Sequence, residues 1–213
     1  ENGELTYEKK HELNIGAAFG FFDNRINIEA DWYKRNNYDL IGPVTTQGIG
    51  GQVTKFGNVA SMESSGFELT LSTVNINKKN FKWTTDFIYS HAENRVTDLD
   101  NQQRVIDLVA GTGFALEGYP VRSVFSIPYR GLNSEGIPTF LDQNGEVTST
   151  GIYFQERDKI DFLEYSGTAD PTDFGSFGNT FSFYGFKVNV FFTYSFGNVV
   201  RMDPVFKKQY SDL

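Results

Sequence analysis

The stretch Leu13-Asn14-Ile15-Gly16-Ala17-Ala18-Phe19-Gly20-Phe21-Phe22-Asp23-Asn24-Arg25-Ile26-Asn27-Ile28-Glu29-Ala30-Asp31-Trp32-Tyr33 decides the fold class. Leu13, Ile15, Ala17, Phe19 and Phe21 occupy every second position, with Asn14, Gly16, Ala18 and Gly20 between them. A spacing of two belongs to an extended strand with one apolar face, whereas a helix sorts its apolar residues by three and four. Asp23-Asn24 has the chemistry of a two-residue hairpin turn, because both side chains tolerate positive φ. After it, Ile26, Ile28, Ala30 and Trp32 oppose Asn27, Glu29, Asp31 and Tyr33, so the second strand repeats the two-faced pattern.

The pattern continues along the chain. Phe67, Leu69 and Leu71 alternate with Glu68, Thr70 and Ser72, a polar turn is expected at Asn75 to Asn80, and Phe81, Trp83, Phe87 and Tyr89 then oppose Lys82, Thr84, Asp86 and Ser90. A third, less regular pair spans Tyr119 to Arg130 and Ile137 to Leu141 about a turn at Leu132 to Gly136; Pro120, Pro128 and Pro138 weaken it. A fourth runs from Asn179 to Phe183, turns at Tyr184-Gly185, and returns through Phe186, Val188, Val190, Phe192, Tyr194 and Phe196. These pairs amount to about eight antiparallel strands.

The connections alternate between short turns and long polar stretches, the latter at Asn36 to Met62, Glu93 to Gly118 and Asp142 to Gly178. Short and long ends therefore fall on opposite edges of one sheet. Compact soluble domains seldom carry several loops beyond about 12 to 15 residues. Outer-membrane barrels combine short periplasmic turns, longer extracellular loops and strands of about 10 residues that alternate apolar-out and polar-in. Period two by itself fits a soluble sandwich as well; the loop asymmetry favours the transmembrane β-barrel. Aromatics near the strand ends, such as Phe21-Phe22, Trp32-Tyr33 and Tyr184 with Phe186, fit interfacial girdles.

Composition narrows the classes further. The chain has 213 residues, 34 of them aromatic (21 Phe, 11 Tyr, 2 Trp), but only 39% hydrophobic, and its mean hydropathy is negative at -0.38. No apolar run reaches the ~18 residues of a membrane-spanning helix. A net charge of -8 with no basic clusters argues against nucleic-acid binding. With no cysteine there is no disulfide, thiolate nucleophile or cysteine-ligated metal.

Several segments carry a family likeness. Tyr7 to Gly16 and Gly20 to Ile41 resemble the late barrel strands of TonB-dependent outer-membrane transporters. Phe56-Gly57-Asn58-Val59-Ala60-Ser61-Met62 leading into Gly66-Phe67-Glu68-Leu69, then Phe81-Lys82-Trp83, is similar to the SusC/RagA branch of Bacteroidetes. So are Glu117-Gly118-Tyr119-Pro120-Val121, Tyr129-Arg130-Gly131-Leu132-Asn133, Asp142-Gln143-Asn144-Gly145, Phe177-Gly178-Asn179-Thr180-Phe181 and Tyr184-Gly185-Phe186. The order and spacing of these pieces over nearly the whole chain carry the likeness. It implies an all-β, antiparallel transmembrane barrel of about 22 strands with a plugged lumen, of which residues 1 to 213 form an internal, C-terminal-half piece. The plug, the TonB-contacting segment and the closing strand are expected to lie outside it, Lys207 to Leu213 reading as the start of a loop. By the same likeness the whole protein sits in the outer membrane of a Gram-negative bacterium, surrounded by lipid. It would import oligosaccharides or peptides with a SusD-like surface lipoprotein and TonB-supplied energy. An alternative of another class is a structural or assembly subunit built on the same barrel.

No catalytic constellation is present, and no cofactor or metal site is expected. His11 and His91 are read as polar strand-end residues, because neither has a second imidazole at ligand spacing. Asp142 to Glu146 lacks the 12-residue calcium-loop arrangement and reads as an Asn-Gly turn; Asp98, Asp100 and Asp107 are a weaker metal case still. Gly48, Gly50 and Gly51 are loop glycines with no helix start after them to cradle a phosphate. The residues singled out are Glu29, Asp31, Glu68 and Asp86, which alternation gathers on the polar, lumen-facing side. There they could meet a polar substrate, solvate the inner wall, or pair with Lys82 or plug residues. Loop aromatics Phe114, Tyr153, Phe154, Phe162 and Tyr165 could stack on sugars or pack on a partner.

Overall fold

Strand alternation predicts one large antiparallel sheet, and a computed structural model of the chain contains it. The structure describes residues 5–45, 54–100, 102–111 and 113–202. In chain order the elements are β1 (Lys9–Phe21), β2 (Ile26–Thr45), β3 (Thr54–Lys78), β4 (Phe81–Leu99), α1 (Val105–Val109), β5 (Ser123–Ser126), β6 (Tyr129–Leu132), β7 (Pro138–Leu141), β8 (Val147–Thr148), β9 (Glu164–Thr168), β10 (Asp173–Phe183) and β11 (Phe186–Phe196). They fall into two compact units.

The first unit is a six-stranded antiparallel sheet in the order β1-β2-β3-β4-β10-β11. Its register joins the apolar residues into continuous rows: Phe19-Ile28-Leu71-Phe87-Phe177-Phe192 runs across all six strands. The opposite face carries Ala18-Glu29-Thr70-Ile88-Ser176-Thr193 along the same path. Among the described residues of this unit none covers the apolar side, whose large side chains stay exposed. Ile15 is 60% exposed, Phe192 61% and Phe186 76%, and β1 is exposed on both faces along its whole length. A sheet stable in water would have to bury that surface, at roughly 25 cal/mol per Å² of apolar area.

The turns correct two expectations. At the first, β1 ends at Phe21 and β2 begins at Ile26, so the loop has four residues rather than two. Phe22, Asp23 and Asn24 all take positive φ, and the Arg25 N–H closes the turn on the Phe22 carbonyl at 3.2 Å. At the second, the polar stretch from Asn75 stays in β3 as far as Lys78, leaving only Lys79-Asn80 as the turn. A register shift between Val74 and Ile76 absorbs an extra residue there, and the Arg25 guanidinium donates to the Val74 and Asn75 carbonyls. The Tyr184-Gly185 turn is as expected, with both residues at positive φ.

The first long polar stretch, Asn36 to Met62, is largely strand among its described residues, and the other two are strand where they adjoin the large sheet. β2 continues to Thr45 and β4 to Leu99, while β3 starts at Thr54 and β10 at Asp173. At about 3.4 Å per residue, the 25 residues of β3 form a ladder more than twice the length that hydrocarbon requires. Period two disappears in these extensions because neither face meets an apolar phase; backbone pairing and cross-strand ion pairs such as Lys9 with Asp39 (2.8 Å) hold them. For the same reason His91 lies within β4 rather than at its end. Gly48, Gly50, Gly51 and Lys207 to Leu213 lie outside the described residues.

The second unit holds α1 and two small sheets, β5-β9 and β6-β7-β8. The third sequence hairpin does form, as β6 with β7, but in this three-stranded sheet rather than in the large one. Among the described residues that leaves six wall strands, where alternation predicts about eight. Tyr119 to Arg122 is not strand; the Val96 N–H donates to the Tyr119 carbonyl at 2.9 Å, and the Val121 N–H to Asn94 Oδ1 at 2.8 Å, within the first unit. The core of the second unit is Val105, Leu108, Val124 and Phe125.

Candidate functional site

Polar-face positions are fixed by register. Asp31 on β2 stands directly opposite Glu68 on β3, Glu29 lies one row nearer the tight turns opposite Thr70, and Ser72 pairs with Asp86 on β4. The Ser72 hydroxyl donates to Asp86 Oδ1 at 2.9 Å. The four acids thus share one face of three adjacent strands, as alternation requires. None of them is in an ion pair among the described residues. Lys82 sits two rows nearer the turn than Asp86, so the register does not bring it to the acids.

Further from the turns the same face becomes mixed in charge. Glu12 stands opposite Arg35, whose Nε donates to Glu12 Oε1 at 3.0 Å, and Lys10 also pairs with Glu12. The Arg35 guanidinium lies 4.2 Å from the centre of the Tyr33 ring.

Glycines on the ladder are matched to large cross-strand partners. Gly16 faces Asp31, Gly66 faces Tyr33, Gly178 faces Phe191 and Gly175 faces Tyr194. In each case the partner side chain occupies the space where a Cβ would stand. The absent side chain therefore lets a long neighbour lie flat on the sheet.

No protein-family model matches the chain. TonB-dependent receptor P3 of Formosa agariphila is 27% identical over 216 residues, which covers 93% of this chain and 21% of that protein. TonB-dependent receptor P26 of the same organism is 31% identical over 115 residues, covering 53% and 12%. Among solved structures, the RagAB peptide transporter superposes with a TM-score of 0.72 at 25% identity, over 92% of this chain and 22% of that one. The RagAB peptide importer in its closed-closed state gives 0.73 at the same identity.

The chain has the fold of a stretch of TonB-dependent receptor barrel and is similar to that family.

The SusC/RagA likeness and the transmembrane β-barrel fold are thereby met. The chain spans between 12% and 21% of the length of the curated relatives it matches. In a transmembrane β-barrel the uncovered apolar face meets lipid, which accounts for its exposure here.

The apolar, lipid-side face carries two polar clusters that period two does not reveal. In the row one step above Ile76-Trp83-Phe181, Thr73 Oγ1 donates to Asn75 Oδ1 (2.9 Å), Asn75 Nδ2 to Thr85 Oγ1 (2.6 Å), and Thr85 Oγ1 to Asn179 Oδ1 (2.7 Å); Trp83 Nε1 donates to that same oxygen at 2.8 Å. These hydrogen bonds link β3, β4 and β10, each polar group satisfying the next. At the far end of the aromatic rows, Asp173 accepts from the Tyr89 hydroxyl (2.6 Å) and Thr172 Oγ1 (2.7 Å) and contacts His91 Nδ1 at 2.9 Å. Sequence reading missed Asp173 because the strand there looked like loop.

In the second unit Asp107 is clamped by the Arg104 guanidinium, with Nη2 to Oδ1 at 2.7 Å and Nε to Oδ2 at 2.9 Å, which lowers its pKa. Asp142 Oδ1 accepts the Glu146 N–H at 2.9 Å and the Asn144 N–H at 2.8 Å, and these bonds hold its carboxyl below the usual aspartate range. Gly145 takes φ +83°, so the stretch is the expected turn. Among the described residues no three His, Asp or Glu side chains converge on a metal position. Arg201 donates to the Phe125 carbonyl at 2.7 Å and the Gly111 carbonyl at 3.1 Å, a role nothing in the sequence marked.

Proposed function

We propose that this chain forms wall, lumen surface and extracellular strand extensions of an outer-membrane importer for oligosaccharides or peptides in a Gram-negative bacterium. A SusD-like lipoprotein would close it from outside, and TonB would supply energy through parts of the protein beyond residues 1 to 213. The carrying observation is the register, which sorts six strands into one apolar and one polar face, together with the likeness to the RagAB peptide importer. Glu29, Asp31, Glu68 and Asp86 would be lumen-facing, where unpaired carboxylates favour cationic or hydroxyl-rich solutes over anionic ones. No bond is made or broken in this scheme.

The test is uptake of labelled peptides and oligosaccharides by cells carrying the whole receptor, with and without TonB, and with E29Q/D31N/E68Q/D86N in the wall. TonB-dependent uptake, with the quadruple variant losing several-fold preference for cationic substrates, supports the reading. Loss of an outer-membrane complex on deletion without any change in uptake would point instead to a structural or assembly subunit.

A further inference from the structure

Ile88, Phe174 and Phe191 are apolar residues that stand on the polar face of the large sheet, against its alternation. Register sets Asp86, Gly178 and Phe191 in one row across β4, β10 and β11, Ile88, Ser176 and Thr193 in the next, and Ser90, Phe174 and Ser195 in the third. The three apolar side chains surround the small Ser176 and enclose a hollow of about 510 Å³. They are 42%, 44% and 59% exposed, so no described residue fills it. The Phe191 ring lies over Gly178, where a Cβ would stand 3.1 Å from it, and this brings the ring one strand nearer Asp86.

The same rows run on into the acids. Ile88 lies opposite Thr70, which pairs with Glu29, and Ser90 lies opposite Glu68, which pairs with Asp31. The face is thus divided into carboxylates on β2, β3 and β4 and apolar side chains on β4, β10 and β11, with Thr70, Ser90 and Ser176 between them.

We propose, resting on the importer reading, that this divided wall is a subsite for peptide segments that carry a basic side chain beside an apolar one. Charge decides the first half. Among the described residues Glu29, Asp31, Glu68 and Asp86 have no ion pair, so they repel one another, and a Lys or Arg side chain relieves that repulsion where a neutral sugar does not. The hollow decides the second half. Ile88 offers neither a ring face nor a hydrogen bond to a sugar, whereas an aliphatic or aromatic side chain set among Ile88, Phe174 and Phe191 gains apolar burial on three sides. Spacing fits an extended peptide. Glu68 and Phe174 stand two strands apart, about 10 Å at the separation of paired strands. Second neighbours on one face of an extended peptide are about 7 Å apart, and the length of a Lys or Arg side chain covers the difference. A cation held at Asp86 also lies beside the Phe191 ring, whose face attracts it.

The test uses the full-length protein in mild detergent and fluorescence anisotropy with three labelled tetrapeptides. One carries Lys and Phe two positions apart, the second has Gln for the Lys, and the third has Ser for the Phe. The first is expected to bind about tenfold more tightly than either of the others. I88S/F191S should abolish discrimination between the Phe and Ser peptides and keep that between Lys and Gln. E29Q/D31N/E68Q/D86N should do the reverse, and I88V/F191L, which keeps the hollow apolar, should preserve both. Equal affinities for the three peptides, or discrimination unchanged in I88S/F191S, overturns the proposal. So does faster proteolysis of segments outside residues 1 to 213 in I88S/F191S with peptide binding unaltered, which would assign the hollow to packing against the rest of the protein. Displacement of the peptide by a neutral oligosaccharide, lost in I88S/F191S, would assign it to sugars and also overturns the proposal. These outcomes leave import standing. Cells that show no TonB-dependent uptake of any peptide or oligosaccharide overturn the importer reading itself, whatever binds in detergent.

Discussion

Tyr194 lies across Gly175: its phenol oxygen donates to the Ile88 carbonyl at 3.0 Å, bridging β11, β10 and β4. A Cβ at Gly175 would stand 2.5 Å from that oxygen and collide with the Ile88 carbonyl. Gly175→Ala should therefore cost about 1–3 kcal/mol, the range of overpacking that the backbone must relieve, while Tyr194→Phe should cost about 1 kcal/mol for the lost hydrogen bond. Urea unfolding of the detergent-solubilised receptor, followed by tryptophan fluorescence, measures both. An alanine at position 175 as stable as glycine would show that Tyr194 does not rest there.

Asn179 collects two donors, Trp83 Nε1 and Thr85 Oγ1, on the lipid side of the sheet. Removing its amide leaves both without an acceptor where water is scarce. Asn179→Ala should destabilise by about 1–3 kcal/mol, the cost of orphaned polar groups, and Asn179→Asp, which keeps the acceptor, should be distinguishable from it. Trp83 fluorescence provides a local readout, because loss of the N–H acceptor should shift its emission relative to wild type.

Asn58 acts as a clasp between distant segments. Its Oδ1 accepts the Thr6 N–H at 2.8 Å, while Nδ2 donates to the Thr6 carbonyl at 2.9 Å and to the Asp39 carbonyl at 2.5 Å. Asp39 is the positive-φ residue at the β2–β3 register shift. Asn58→Ala should expose Leu5 to Glu8 to limited proteolysis several-fold faster than wild type, with Asn58→Asp equally affected because it lacks the donor. Unchanged cleavage in both would place the restraint elsewhere.

The Asp142 turn should loosen in acid. Its carboxyl has a lower pKa folded than unfolded, because the Glu146 and Asn144 N–H groups stabilise the anion. The stabilisation is full above the ordinary aspartate pKa of about 3.9 and is lost as pH falls through the folded value. Hydrogen exchange should show the Glu146 and Asn144 amides protected at neutral pH and losing protection below about pH 4, after correction for intrinsic rates. Asp142→Ala should remove the protection at every pH.

Much of this was legible beforehand, because one physical constraint writes itself into the sequence. Where a strand separates an apolar phase from a wet one, its side chains must alternate, so Leu13 to Phe21, Ile26 to Trp32 and Phe186 to Phe196 could be read directly. Glu29, Asp31, Glu68 and Asp86 were placed together by parity, and the register agrees. Where both faces meet water, nothing enforces alternation, and Asn36 to Thr45, Thr54 to Met62 and Asp173 looked like loop although they are strand. Asn75 looked like turn because its side chain is polar; only its bonds to Thr73 and Thr85 show why it belongs in β3.

Chain order alone therefore determined the two-faced antiparallel sheet, its tight turns near Asp23, Asn80 and Gly185, and the absence of thiol chemistry. Three dimensions decided the rest: that β4 pairs with β10 across an intervening unit, that Asp173 meets Tyr89 and His91, and that Ile88, Phe174 and Phe191 gather around Ser176 on the face that carries the acids. The reason is that alternation is a property of one strand against its surroundings, while register is a property of two strands against each other, and the residues that set it are far apart in sequence.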